Sequence, residues 1–237
     1  MSQNFYWMYG AHAVRFALDN MQRKIHELVV LDGQDYDDLI AQAKSRKIPV
    51  QITRKIDFGK LVGQDWVHQG VLAKCEPLRP VDIESVEGNA FLVLDQVTDP
   101  HNVGAILRTA AAFGISGVIM QDKNSATETG TLAKTACGAL EVTPIIHVVN
   151  LSRTLSDLKE DGFWIVGLDE RGDQTVTDID FKGKIVIVMG AEGSGMRKLI
   201  RESCDFLARL PTLDNFPTLN VSTATAITLY EWNRQNS

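Results

Sequence analysis

Between residues 91 and 234, short apolar runs alternate with stretches of helical period, and this alternation constrains the fold more than any other feature of the chain. The runs lie at 91–94, 118–120, 145–148, 164–168, 185–189 and 206–209, and the helical stretches at 103–113, 126–136, 151–159, 196–202 and 221–234. Strands that are apolar on both sides must be covered on both sides. The pattern therefore predicts an α/β fold in which a mostly parallel sheet lies between two layers of helices. Ligands of such sheets bind beyond the carboxyl ends of the strands.

The first third reads as a smaller α/β module. Val14, Ala17, Leu18 and Met21 mark a helix over 11–21, followed by a strand at 28–31, a helix at 36–45 and strands at 49–52 and 71–73. About 75 residues is close to the size at which a single core becomes marginal. Pro77 and Pro80 then interrupt a polar, acidic stretch and disfavour helix. The expected division is a domain at 1–75, a linker at 76–88 and a second domain at 89–237.

Charge divides along the same line. The 237 residues hold 24 Lys plus Arg against 30 Asp plus Glu, a formal charge of −6, which taken whole opposes nucleic-acid binding. Residues 1–80 carry 11 basic and 9 acidic side chains, net +2, whereas residues 81–237 carry 13 and 21, net −8. The first part thus stays open to RNA. Arg15, Arg23, Lys24, Lys44, Arg46, Lys47, Arg54 and Lys55 are its candidate contacts, each of which alone reads equally as a solvated surface charge. No apolar run approaches the roughly 18 residues of a membrane span, and the start lacks a secretory pattern, so a cytoplasmic protein is expected. Cys75, Cys137 and Cys204 are odd in number and widely spaced, and the five histidines form no HExxH pair. Neither a disulfide framework nor a metal site is expected.

Three strand-exit loops have unusual contents. The first, 95–110, contains Asn102 as a candidate helix N-cap, Gly104 in the first turn, and Arg108 six residues beyond Asn102 on the loop-facing side of the helix. The second, Gly190-Ala191-Glu192-Gly193-Ser194-Gly195, has the glycine order GxxGxG in place of the dinucleotide pattern GxGxxG. Its central glutamate repels a pyrophosphate and suits a hydroxyl-bearing or cationic ligand. The third, 210–224, is stiffened by Pro211 and Pro217 and carries Thr218, Asn220 and Ser222; capping of the next helix accounts for one of these three, not for all.

With these residues in view, the chain resembles the SpoU-type ribose 2'-O-methyltransferases of the SPOUT superfamily. The motif Asn-x-Gly-x-x-x-Arg-x-Ala is matched by Asn102, Gly104, Arg108 and Ala110, and Gly-x-Glu-x-x-Gly by Gly190, Glu192 and Gly195. The Pro-led loop ending in Ser-Leu-Asn-Val-Ser is matched except that Thr218 stands where serine is usual. The resemblance covers about 91–231. The stretches 9–14 and 67–71 also look like the ribosomal-protein-like substrate-binding domain of the TrmH/RlmB group.

The resemblance implies S-adenosylmethionine as cofactor, a deep C-terminal trefoil knot and a homodimer with active sites at the subunit interface. In such a dimer, Ala224, Ala226, Ile227, Leu229 and Tyr230 of the last helix contribute to the contact. It assigns cofactor contacts to Gly190, Leu210 and Leu219, with Met189, Pro211 and Ser222 beside them, and catalysis to Arg108, Asn102, Glu192, Thr218 and Asn220. A guanidinium carries no free lone pair. Arg108 is therefore expected to hold the adjacent phosphate and favour the developing alkoxide, while the other four orient it and the ribose. The implied substrate is a guanosine ribose of large-subunit rRNA, with tRNA as the alternative. Two readings from other classes stay open, a non-catalytic RNA-binding or ribosome-assembly factor and a dinucleotide-dependent oxidoreductase.

Overall fold

A computed structural model describes residues 5–54, 60–62, 68–213, 215 and 218–237. In chain order the strands are β1 (Tyr6–Tyr9), β2 (Ile25–Leu31), β3 (Val50–Thr53), β4 (Val71–Cys75), β5 (Ala90–Asp95), β6 (Gly117–Gln121), β7 (Ile145–Val148), β8 (Trp164–Leu168), β9 (Gln174–Thr175), β10 (Ile185–Gly190) and β11 (Phe206–Arg209). The helices are α1 (Ala11–Asp19), α2 (Asp37–Ser45), α3 (Pro100–Phe113), α4 (Gly130–Ala136), α5 (Leu151–Glu160), α6 (Lys198–Glu202) and α7 (Val221–Asn236). Residue contacts divide the chain into two compact units, 1–79 with 127–142, and 80–126 with 143–237. The segment 127–142, expected to lie with the C-terminal residues that flank it, groups with the N-terminal ones.

The first unit is built on a four-stranded mixed sheet of order β1-β4-β2-β3, with β1 and β2 antiparallel to β4 and β3 parallel to β2. Ala13, Val14, Ala17 and Leu18 form the buried stripe of α1. Strand β1 was not expected, because Tyr6-Trp7-Met8-Tyr9 is amphipathic throughout and gives no alternating signal. Gly130 of α4 lies so close to the carbonyl of Trp7 and the ring of Tyr9 that a Cβ there would collide with both. The expected linker begins late, since Lys74 and Cys75 belong to β4, and a 3-10 turn at Ile83–Ser85 interrupts it.

A buried ionic cluster ties 127–142 into this unit. The side chain of Arg23 is fully enclosed. Its Nη2 donates to Glu141 Oε1 at 2.6 Å, its Nη1 to Glu128 and to the carbonyl of Glu76, and its Nε to Glu141. Asn20 Nδ2 donates to Glu141 at 2.8 Å, and the Tyr6 hydroxyl donates to Glu128. Burial, and then the adjacent Glu128 carboxylate, push the Tyr6 phenol well above its ordinary range. Arg23 therefore offers no surface to an RNA phosphate, and its expected role there is corrected to a structural one. Arg46 is largely committed as well, donating to the carbonyls of Ala17, Leu18 and Arg23.

The second unit contains a seven-stranded sheet, parallel at every pairing, of order β7-β6-β5-β10-β8-β11-β9. Residues two apart share a face. Phe91 and Val93, Val186 and Val188, Ile119 and Ile146 accordingly form one buried cluster with Leu151, Leu155 and Leu158 of α5 and Ile200 of α6. The alternate residues Leu92, Leu94, Ile187 and Met189 are also buried, and on the helical side α7 packs against α3 and β10. Each full burial of such a side chain stabilises the fold by about 1.5–3 kcal/mol. Among the described residues, no helix is long and apolar enough to cross a membrane, and no group of three or more His, Cys, Asp or Glu could hold a metal ion.

Replacing Arg23 with Met leaves two enclosed carboxylates without their cation. Chemical denaturation of the Arg23→Met protein should show a loss of about 3–5 kcal/mol. An unchanged midpoint would mean that the cluster contributes nothing to the fold.

Candidate active site

Sheet order brings the loops together. Strands β5, β10, β8 and β11 are consecutive neighbours, so the segments that follow them emerge along one edge of a parallel sheet. Three of these four exits are the loops singled out in the sequence. The fourth, after β8, contributes Asp169, Glu170 and Arg171 to the same cavity and was missed, since a charged Asp-Glu-Arg-Gly-Asp run reads as an ordinary turn.

The first loop is capped differently from expectation. Asp99, not Asn102, is the N-cap of α3; its side chain accepts from the backbone N–H of His101 at 3.0 Å. Pro100 then occupies the first helical position, where its fixed φ fits the helix and its missing N–H costs nothing. The side chain of Asn102 is thereby released. Its Oδ1 accepts from Asn220 Nδ2 at 2.9 Å, and the same Nδ2 lies 3.4 Å from Glu192 Oε2. Asn220 is itself the N-cap of α7, its Oδ1 accepting from the N–H of Ser222 at 2.8 Å and from the Ser222 hydroxyl at 2.6 Å. Both donors face Oδ1 and both acceptors face Nδ2, so the network fixes the orientation of the amide. One side chain from each loop thus meets at Asn220.

The second loop owes its shape to glycine. Ala191 and Gly195 pair across it, and Gly193 and Gly195 have φ of 81° and 67°, which side chains other than glycine rarely adopt. A Cβ on Gly190 would collide with the backbone of Gly195 and Met196. Beside the loop lies a cavity of about 370 Å³, within the usual range for small-molecule sites. Met189, Gly190, Glu192, Leu210, Thr218 and Leu219 line it. Pro211 and Ser222 do not, and Ser222 is engaged in the α7 cap. The carboxylates of Glu192, Asp169 and Glu170 suit the cavity to a cation, and the exposed backbone of a glycine turn admits close approach by a ligand. A sulfonium nucleoside such as S-adenosylmethionine fits this donor set.

Arg108 stands apart from the Asn220 cluster. It is exposed on α3 and has no hydrogen-bond or ion-pair partner among the described residues. Six residues of helix correspond to about 600° of rotation, so Arg108 projects about 120° around α3 from Asn102, and the two do not share the face expected of them. Of the candidate RNA contacts, Arg15 pairs with Asp38 and Lys24 with Glu76 at 3.2 Å, while Lys44, Lys47 and Arg54 are exposed. Lys55, like Val67, Asp214, Phe216 and Pro217 of the quoted stretches, lies outside the described residues.

Family comparison agrees with this geometry. Residues 89–230 match the SpoU rRNA Methylase family, and residues 7–81 match the RNA 2'-O ribose methyltransferase substrate-binding family. The chain belongs to the SpoU rRNA methylase family. It is 42% identical to the 23S rRNA (guanosine-2'-O-)-methyltransferase RlmB of Pseudomonas aeruginosa over 97% of this chain and 96% of that protein. Against RlmB of Escherichia coli K12 it is 39% identical, over 97% and 98% of the two chains. Among solved structures, the AdoMet-bound rRNA methyltransferase of Sinorhizobium meliloti superimposes with a TM-score of 0.81 at 28% identity, covering 97% of this chain and 87% of that one. The SpoU methyltransferase AviRb of Streptomyces viridochromogenes shares the fold, with a TM-score of 0.82 at 22% identity over 98% and 90%.

Gly190→Ala is expected to displace the return limb of the loop and abolish binding of S-adenosylmethionine in isothermal titration. Asn220→Ala should cost about 1 kcal/mol of stability through the lost cap and also reduce methyl transfer, a pairing of effects that a capping role alone does not produce.

Proposed function

We propose that this protein transfers a methyl group from S-adenosylmethionine to the 2'-hydroxyl of a guanosine ribose in large-subunit rRNA. The observation that carries the proposal is the junction of Asn102, Glu192 and Asn220, one from each motif loop, at the rim of a glycine-walled acidic cavity. Family membership and the identity of about 40% to RlmB proteins over nearly the whole chain support the same reaction and substrate class. The GxxGxG order and the placement of Glu192 disfavour a dinucleotide-dependent oxidoreductase.

When bound, S-adenosylmethionine supplies an electrophilic methyl group. The backbone at Met189, Gly190, Leu210 and Leu219 would hold it, with Glu192 beside the positive charge. Asn220 fixes Asn102 and Glu192 relative to each other, so the polar groups that meet the ribose are set before substrate arrives. Arg108 is unengaged and cationic. It holds the phosphate next to the target ribose and stabilises the alkoxide that forms as the hydroxyl loses its proton. Thr218 presents a hydroxyl at the cavity, as serine does elsewhere in the family, with a methyl that restricts its rotamer.

Residues 1–75 serve as the RNA-recognition domain, joined by 76–88 to a knotted catalytic domain at 89–237, in a cytoplasmic homodimer. Ile227 and Tyr230 of α7 are 43% and 59% exposed and are available for a subunit contact, whereas Leu229 is buried within the unit and is not.

The test is transfer of radiolabelled methyl to undermethylated 23S rRNA and to bulk tRNA, followed by mapping of the modified ribose. Label is expected at one guanosine of 23S rRNA; label in tRNA alone would replace the substrate, and none in either RNA would favour a non-catalytic RNA-binding role. Arg108→Ala should reduce turnover at least about a hundredfold while leaving affinity for S-adenosylmethionine unchanged. Thr218→Ser should retain activity.

A further inference from the structure

Asp95 is the last residue of β5 and is fully buried, yet no motif assigns it a role. In the sheet it lies directly beside Gly190, the residue at which the glycine loop begins. Its carboxylate reaches the other end of that loop. Oδ2 accepts from the backbone N–H of Arg197 at 2.8 Å, and Oδ1 accepts from Arg197 Nε at 2.7 Å and is 2.7 Å from Nη2. Arg197 Nη2 also donates to Gln121 Oε1 at 2.9 Å, and Gln121 Nε2 to the carbonyl of Val149 at 3.2 Å. Arg197 follows Met196, whose side chain is buried in the core beneath the sheet.

The loop between these two anchors needs an outside tie. Among the described residues, Ala191 and Gly195 are its only internal backbone pairing, and Glu192, Gly193 and Ser194 are exposed. Glycines at 193 and 195 leave its backbone with more conformations than any other residue type would. A charge-assisted bond from an enclosed carboxylate to the first residue past the loop removes most of that freedom. The same carboxylate ends the strand from which the Asn102 loop departs.

We propose that Asp95 is a positioning residue for the methyl-transfer site: through Arg197 it closes the 190–197 loop and so holds Gly190 and Glu192 where cofactor and Asn220 meet them. This rests on the function proposed above for the cavity. A residue that only stabilises the fold would lower the melting temperature without altering ligand affinity well below it. A positioning residue alters both loop dynamics and affinity.

The experiment compares the full-length protein with Asp95→Asn, Asp95→Ala and Arg197→Met by two measurements made well below every melting temperature. One is amide hydrogen exchange across 190–197, and the other is titration with S-adenosylmethionine. Asp95→Asn keeps an acceptor for the Arg197 N–H but loses the charge. It is expected to speed exchange in the loop and weaken affinity about tenfold, with Asp95→Ala weaker still and Arg197→Met close to Asp95→Asn. Loop exchange and affinity equal to wild type in Asp95→Asn and Asp95→Ala would overturn the proposal, as would faster exchange spread evenly over the chain. Should wild type itself fail to bind S-adenosylmethionine, the methyltransferase reading falls, and the exchange rates alone decide whether Asp95 holds the loop.

Discussion

Double pairing of β10 is the constraint on which the C-terminal unit depends. From Ile185 to Gly190 it is bonded to β5, and from Ile185 to Met189 to β8, though neither strand is its neighbour in the chain. Parallel pairing demands crossover connections, and the helices supplying them provide the two covering layers. The strand that must be buried on both faces and bonded on both edges also carries the glycine turn. A site assembled there inherits its precision from backbone hydrogen bonds rather than from loop side chains. The few side-chain bonds it does make, at Asn220 and at Asp95, then act on ends already placed.

Much of this could be read from the chain, and the gaps have physical causes. The runs at 91–94, 145–148 and 185–189 were recognisable because strands enclosed on both faces are continuously apolar. The site was recognisable because Glu192, Thr218, Asn220 and Ser222 are polar beyond what turns and caps require. Strand order was not, since no periodicity records which strand lies beside which, and the loop at Asp169 went unnoticed for that reason. The cap of α3 was misplaced because Asn102 is a good cap by type, whereas Pro100 fixes the first helical residue two positions earlier and makes Asp99 the cap. The rotation separating Arg108 from Asn102 follows from helix geometry alone.

Charge is the clearest case of a property that sequence counts misdescribe. A basic residue in a polar stretch reads as surface, but the partners of Arg23 lie 105 and 118 positions away, at Glu128 and Glu141. Two acids counted with the C-terminal part are thus neutralised inside the N-terminal unit. The side chains of that unit that remain on its surface as cations are fewer than the regional sum implies. Any attraction it exerts on a phosphate backbone is local, carried by residues such as Lys44, Lys47 and Arg54.

The excursion of residues 127–142 bears on the order in which the protein can be made. Domains ordinarily fold as units while the chain emerges from the ribosome, the N-terminal one first. Here the nascent N-terminal unit has its sheet once Cys75 is out, but its buried guanidinium stays unmatched until Glu128 and Glu141 have been synthesised, after β5, α3 and β6. The unit synthesised first therefore cannot be completed first, and its closure waits until half of the catalytic sheet already exists.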